Sequence, residues 1–274
     1  MSHPILARGT ADRLAALRLQ ALLNRVGAAI VEDGDFGPGT ERAVKYAQNL
    51  AGQTETGTAD AALWQWLEAQ PEPSPDVPAH CIAFTVRHEV SSRELFEQRF
   101  RRPVWPKGQS GVTVGIGYDL RFHPAEAFRG LIADAHVDLL KRVEGRQGSD
   151  ALAAEVGDAD IPWAVAWRVF CDRSLPEFVE RTRAAFPNFD RLPGECRGAL
   201  VSLVYNRGAS MRNHDSRREM REIRDLMSDG GAEALSAIPE RIRSMKRLWP
   251  AFAGLRKRRD DEAEMFENGL AHER

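Results

Sequence analysis

EDGDFGPGTERAVKYAQNLAG, residues 32–52, decides how the first part of the chain folds. Asp33-Gly34 and Gly37-Pro38-Gly39 read as a loop, because glycine reaches positive φ without penalty and proline cannot continue a helix. Thr40 then reads as an N-cap. Ala43, Val44, Ala47 and Leu50 recur at helical spacing until Gly52 closes the helix. Upstream, Leu14, Leu17, Leu19, Leu22, Leu23 and Val26 give an earlier amphipathic helix that Gly27 stops. Downstream, Asp60 caps a short third helix, AALWQWLEAQ. The expectation for this part is three short helices.

The next stretch, QPEPSPDVPAH at residues 70–80, holds four prolines, which favour an extended spacer over helix or strand. The expected organisation is therefore a first domain over 1–70, a Pro-rich linker over 71–80 and a second domain over 81–274. The chain has 274 residues, 43% hydrophobic and 28% charged, which is the balance of a globular protein. A formal net charge of −2 gives no reason to expect a nucleic-acid partner. No apolar run approaches the roughly 18 residues a membrane span needs. Cys81, Cys171 and Cys196 are odd in number and lack metal spacing, so buried free thiols are expected. Arginine crowds the last third, at Arg217, Arg218, Arg221 and Arg224, again from Arg241 to Arg247, and from Arg256 to Arg259. Such runs read as solvated helix faces, or as a positive surface for an anionic polymer.

The second part opens with CIAFTVRHEVSSRELFEQRF (81–100), which reads as a helix carrying Glu89. In GVTVGIGYDL (111–120), Val112, Val114 and Ile116 alternate with small residues, the period of a short β-strand. Gly111, Gly115 and Gly117 permit tight turns and close backbone approach. A glutamate on a helix beside a small glycine-rich sheet can form one wall of a saccharide groove.

The residues Leu19-Gln20, Asp33 to Glu41, Ala43-Val44, Gln48, Thr56-Gly57, Asp60 and Leu63-Trp64 carry a resemblance to the bacterial peptidoglycan-binding domain of three short helices. It spans nearly all of residues 10–70. The second part resembles the phage-type lysozymes and endolysins, through Glu89, through Thr113-Val114-Gly115-Ile116-Gly117-Tyr118-Asp119-Leu120, and through GALVSLVYNRGAS at 198–210. The closing RSMKRLWPAFAGLRKRRDDEAEMFENG matches as well. The implied fold class is mainly α: an α+β lysozyme-like catalytic domain with a small β-hairpin sheet, preceded by a three-helix peptidoglycan-binding domain.

The spacing departs from the phage type. Glu89 and Thr113 lie 24 positions apart with no aspartate between them, and RFRRPVWPKGQS fills the interval. That pattern looks more like the pesticin-like muramidases. By this resemblance Glu89, Thr113 and Asp119 form the catalytic set, and Tyr118, Asn206 and Gly117 line the substrate cleft. Glu97, eight residues after Glu89, is the rival second carboxylate. Asn206 also reads as a helix C-cap and Tyr118 as core. Trp105, Trp163, Trp167 and Trp249 read as core or hinge packing rather than sugar platforms.

The residue types suit glycoside cleavage. One carboxylic acid protonates the leaving oxygen, while a second carboxylate activates water or stabilises positive charge at the sugar. Phe84, Val86 and Val90 are the apolar neighbours that would keep Glu89 protonated, because burial penalises the charged form. Thr113 could position a water. The histidines lack metal-ligand spacing, so neither metal nor cofactor is expected.

The function expected from the resemblance is cleavage of the glycan strand between N-acetylmuramic acid and N-acetylglucosamine, with peptidoglycan as the partner. A non-catalytic wall-binding or phage structural protein and a chitinase-like hydrolase are the alternatives. The first residues, MSHPILARGTADRL, show no secretory-signal pattern. Synthesis in the cytoplasm is therefore expected, with delivery to the periplasmic wall by a holin or by injection. The latter would add an immunity protein as partner.

Overall fold

The Asp12 carboxylate accepts a hydrogen bond from Ala15 N and starts helix α1, Arg13–Arg25. Pro38, whose missing N–H costs nothing in a first helical turn, starts α2, Pro38–Leu50. Asp60 caps α3, Ala61–Glu68, through Leu63 N at 2.9 Å. The computed structural model describes residues 3–272, and among these the chain is mainly helical with one small sheet. Leu19, Leu23, Phe36, Val44, Leu63, Trp64 and Leu67 close the core of the three helices. Leu6 and Ala59 exchange backbone hydrogen bonds and tie the N-terminal strand-like segment to the start of α3. Gly27 and Gly52, both at positive φ, follow α1 and α2 as expected.

Two local expectations are corrected. Thr40 is not the N-cap of α2: Gly37 takes that place because Pro38 already fits the first turn, and Thr40 lies buried in the third helical position. Leu14 is 80% exposed, on the outer side of α1, so it is no part of the apolar stripe.

Packing divides the chain into two compact units: residues 1–73 with 83–175, and residues 74–82 with 176–274. Residues 71–78 carry neither helix nor strand, yet this partition differs from one drawn at the prolines. In the first unit the three-helix module is joined by most of α4 (Ala79–Val90), α5 (Arg93–Arg99), a hairpin, α6 (Asp134–Lys141), α7 (Asp150–Glu155) and α8 (Trp163–Val169). Ser91, at φ 65°, ends α4, and Ser92 caps α5 through Leu95 N, so residues 81–100 form two helices. The hairpin is β1 (Thr113–Val114) antiparallel to β2 (Tyr118–Asp119), with Thr113 opposite Asp119 and Val114 opposite Tyr118. Gly115 and Gly117, at φ 60° and 68°, make its three-residue turn. Val104 bridges the outer edge of Thr113.

The three-helix module is docked within this unit. Trp163 Nε1 donates to Gly27 O at 2.7 Å, and Arg87 donates to Ile30 O at 2.7 Å. Arg42 pairs with Glu94 at 3.0 Å, and the Arg93 guanidinium lies over the Tyr46 ring at 4.5 Å. Trp163 and Trp167 are buried, as expected for packing residues.

In the second unit, α10 (Gly194–Arg207) is the central helix, following α9 (Leu175–Ala185), whose first residue belongs to the first unit. Gly198 to Val204 are all buried, including Ala199, Leu200, Leu203 and Val204. Next come α11 (Arg218–Asp229), α12 (Ala232–Ser244) and the long α13 (Ala253–His272). α10 and α12 both pack on α13, and α11 packs on α12. Segment 74–82 belongs here because Gly198 lets Cys81 approach its backbone and Arg183 pairs with Asp76 at 3.0 Å. All three cysteines are free and buried.

The arginine run at 256–259 is not wholly a solvated face. Arg258 is 2% exposed, while Arg259 and Glu262 are fully buried. Helical spacing turns these three residues inward, where each guanidinium finds the Glu262 carboxylate.

Candidate functional site

Two glutamines organise the loops of the three-helix module. Gln20, buried on α1, accepts from Gly34 N at 2.8 Å through its carbonyl. Its amide nitrogen reaches Asp33 Oδ1 at 2.8 Å, Thr40 Oγ1 at 3.0 Å and Asp35 O at 3.1 Å. Gln48, buried on α2, repeats the device: its carbonyl accepts from Gly57 N at 2.9 Å, and its amide donates to Thr56 Oγ1 and Thr58 O. Each buried side-chain amide is therefore satisfied on both sides, as burial requires. Gly34 and Gly57 sit at φ 71° and 77°, and a Cβ at Gly57 would meet Lys45 Cε at 2.8 Å. Phe36 is core. The motif thus encodes a rigid double loop.

A cleft of about 320 Å³ opens beside the first of these loops. The loop and the first turn of α2 form one side, while Arg87, Ser91, Ser92 and Arg93 form the other. Two of its lining residues, Ala29 (φ 52°) and Ser91 (φ 65°), hold positive φ without being glycine, a strain that tends to collect at binding sites. Burial raises the Asp33 carboxyl, but hydrogen bonds from Asp35 N and Gln20 outweigh it, and Asp33 is held below its ordinary value of 3.8.

Glu89 lies half-buried in the last turn of α4. Phe84, Val86 and Val90 are buried around the same turns, and Val86 and the buried Thr85 share its helix face. Across the hairpin, Thr113 and Asp119 are brought together as register partners, both half-buried. The Asp119 carboxylate accepts from Gly111 N at 3.0 Å and from Arg121 N at 2.8 Å. These two backbone donors fix the orientation of the carboxylate. Gly117 is exposed at the tip of the turn. Tyr118 is 5% exposed, its hydroxyl donates to Pro124 O at 2.9 Å, and its ring meets Phe128 edge-on. It occupies the core position that was one of its two sequence readings.

Glu97 is engaged elsewhere. It accepts from Arg101 at 2.8 Å and from Trp163 N at 3.3 Å, capping α8, while Arg101 forks onto Asp160. Asn206 lies inside α10, whose C-cap is Gly208, so the capping role is corrected. Its Oδ1 accepts from Arg259 at 3.2 Å. Sequence reasoning missed the roles of Gln20 and Gln48, although the pairing of each glutamine with a distant glycine turn was the signal available.

No curated protein matches the chain. Residues 15–67 match the family model described as "Putative peptidoglycan binding domain", and this match covers the two glutamines and both loops that they brace.

Proposed function

We propose that the chain is a peptidoglycan hydrolase of the lysozyme type, cutting the glycan between N-acetylmuramic acid and N-acetylglucosamine. The observation that carries this reading is the register pair Thr113–Asp119 on a glycine-turned hairpin, in a unit that also holds a peptidoglycan-binding domain and the half-buried Glu89. Glu89 acts as general acid, Asp119 as the fixed anionic carboxylate and Thr113 as the hydroxyl that places water. The oriented carboxylate of Asp119 and the prior engagement of Glu97 support Asp119 as the second group. The substrate lies in the wall, so this reading includes delivery to the periplasm by a holin or by injection. Incubation with purified peptidoglycan should release new reducing sugar ends. Peptide fragments without new reducing ends would overturn it.

A second reading rests on one observation: the Asp119 carboxylate and the Tyr118 hydroxyl already serve backbone groups. On that reading the hairpin is a structural brace, and the chain binds wall without cutting it. Sedimentation with peptidoglycan and no loss of turbidity on permeabilised cells would select it.

A further inference from the structure

The C-terminal end of α10 meets the segments 215–217 and 245–249 around a pocket of about 370 Å³ lined by Asn206, Arg207, Ser216, Arg217, Leu248 and Trp249. Its charges are unbalanced. Arg207 donates to Ser216 O, and Arg217 donates to Gly208 O at 3.3 Å, so both guanidiniums are answered by neutral carbonyls. The acids nearby are committed: Glu219 and Asp215 are held by Arg247 and Arg218. Glu262 is shared by Arg258 and Arg259 through Oε1, while its buried Oε2 accepts no hydrogen bond among the described residues.

Trp249, one of the lining residues, carries two cations on its ring, Arg207 at 4.9 Å and Arg259 at 5.6 Å. Among the described residues, Arg207 Nε and the buried Nε and Nη1 of Arg259 have no hydrogen-bond partner. Burial and then the neighbouring Arg217 and Arg259 push the Arg207 guanidinium down to about 10, against the opposite pull of Glu219. Like charges gathered in a concave, partly desolvated place are relieved by an anion.

We propose that this pocket binds a carboxylate, supplied by the free C-terminus of a wall stem peptide. Arg217 and Arg207 supply the charge, Asn206 and Ser216 supply further polar groups, and Trp249 offers an apolar ring to the peptide. A guanidinium matches a carboxylate with paired N–H donors, which a neutral sugar does not offer. The identity of the ligand rests on the reading that the chain acts on peptidoglycan, whereas the anion preference rests on the pocket alone.

The test is calorimetric titration of the full chain with a soluble stem tripeptide bearing a free C-terminal carboxylate, and with its C-terminal amide. The free acid should bind at least about tenfold more tightly than the amide. Arg217→Gln should erase the difference, and Arg217→Lys should restore part of it. Arg217 makes one hydrogen bond to a carbonyl, so both variants should keep the wild-type melting profile. Equal binding of acid and amide, or no change in Arg217→Gln, would overturn the proposal. Tighter binding of inorganic phosphate than of the peptide would also overturn it, assigning the pocket to a phosphate-bearing polymer. The readout is binding, so a chain that binds the acid but cuts no glycan would sink the hydrolase reading and leave the pocket standing.

Discussion

The side-chain carbonyl of Gln20 accepts the amide hydrogen of Gly34 at 2.8 Å, so one buried amide fixes a loop fourteen residues away in sequence. The other end of the same side chain reaches Asp33, Asp35 and Thr40. Gln20→Leu removes all of these bonds at once and strands Gly34 N. A loss of about 2 kcal/mol is expected in denaturant unfolding, with weaker sedimentation on peptidoglycan. Unchanged stability would show that the loop holds itself.

Gly57→Ala should cost about 1 kcal/mol or more, because φ 77° strains any side chain and the new Cβ would meet Lys45 and Glu41. Gly39→Ala is the control in the same module, since nothing lies within 4 Å of its Cβ position. Thermal melts of the two variants should separate clearly.

Glu89→Gln should reduce release of reducing ends by about 10²-fold or more while leaving the far-ultraviolet spectrum intact. Asp119→Asn should reduce it too, since the amide oxygen can still accept from Gly111 and Arg121 while the charge is lost. Glu97→Gln should chiefly lower stability, by loosening Arg101 and the start of α8. The reverse ranking of Asp119 and Glu97 would reassign the second carboxylate.

Trp163→Phe removes the donor to Gly27 O and keeps most of the ring volume. A loss of about 1 kcal/mol is expected. Amide exchange over residues 27–31 should quicken as the docked edge of the module loosens. Exchange there at the wild-type rate would mean that the hydrogen bond contributes nothing to docking.

Asp33 is more acidic folded than its ordinary value of 3.8, so its contribution to stability is present above pH 3.8. That contribution is lost as pH falls through the folded value. The stability gap between the wild type and Asp33→Asn, measured by urea unfolding, should therefore be constant near neutrality and shrink below about pH 4. A gap that grows on acidification would contradict the assignment.

The three-helix module was legible because its signals are local: Asp60 at a cap, Gly27 and Gly52 at helix ends, and a loop whose glycines need positive φ. The glycine turn at 115–117 was legible for the same reason, but the alternation of Val112, Val114 and Ile116 read as one strand where the chain turns back at Ile116 and pairs only 113–114 with 118–119. Periodicity could not place Leu14, since spacing alone does not say which edge of a stripe reaches the core. Composition likewise misjudged Arg258 and Arg259, because burial of a cation depends on a partner that a charge count cannot see. The contact of Trp163 with Gly27 joins residues 136 positions apart, and no local rule reaches that far. Of the candidate site, the residue types at Glu89, Thr113 and Asp119 could be read, but not the amides that hold Asp119.

The docking of the three-helix module through Trp163, Arg87 and Arg42 has a mechanical consequence on the proposed reading. An anchor on a loose string lets a cutter graze anywhere within its radius. An anchor clamped to the same body as the hairpin behaves as a caliper, offering for cleavage the bond that lies one fixed stride from the gripped point. Fragment lengths from an intact, ordered glycan would then cluster around a repeat, and loosening the clamp at Trp163 would blur that ladder into a smear.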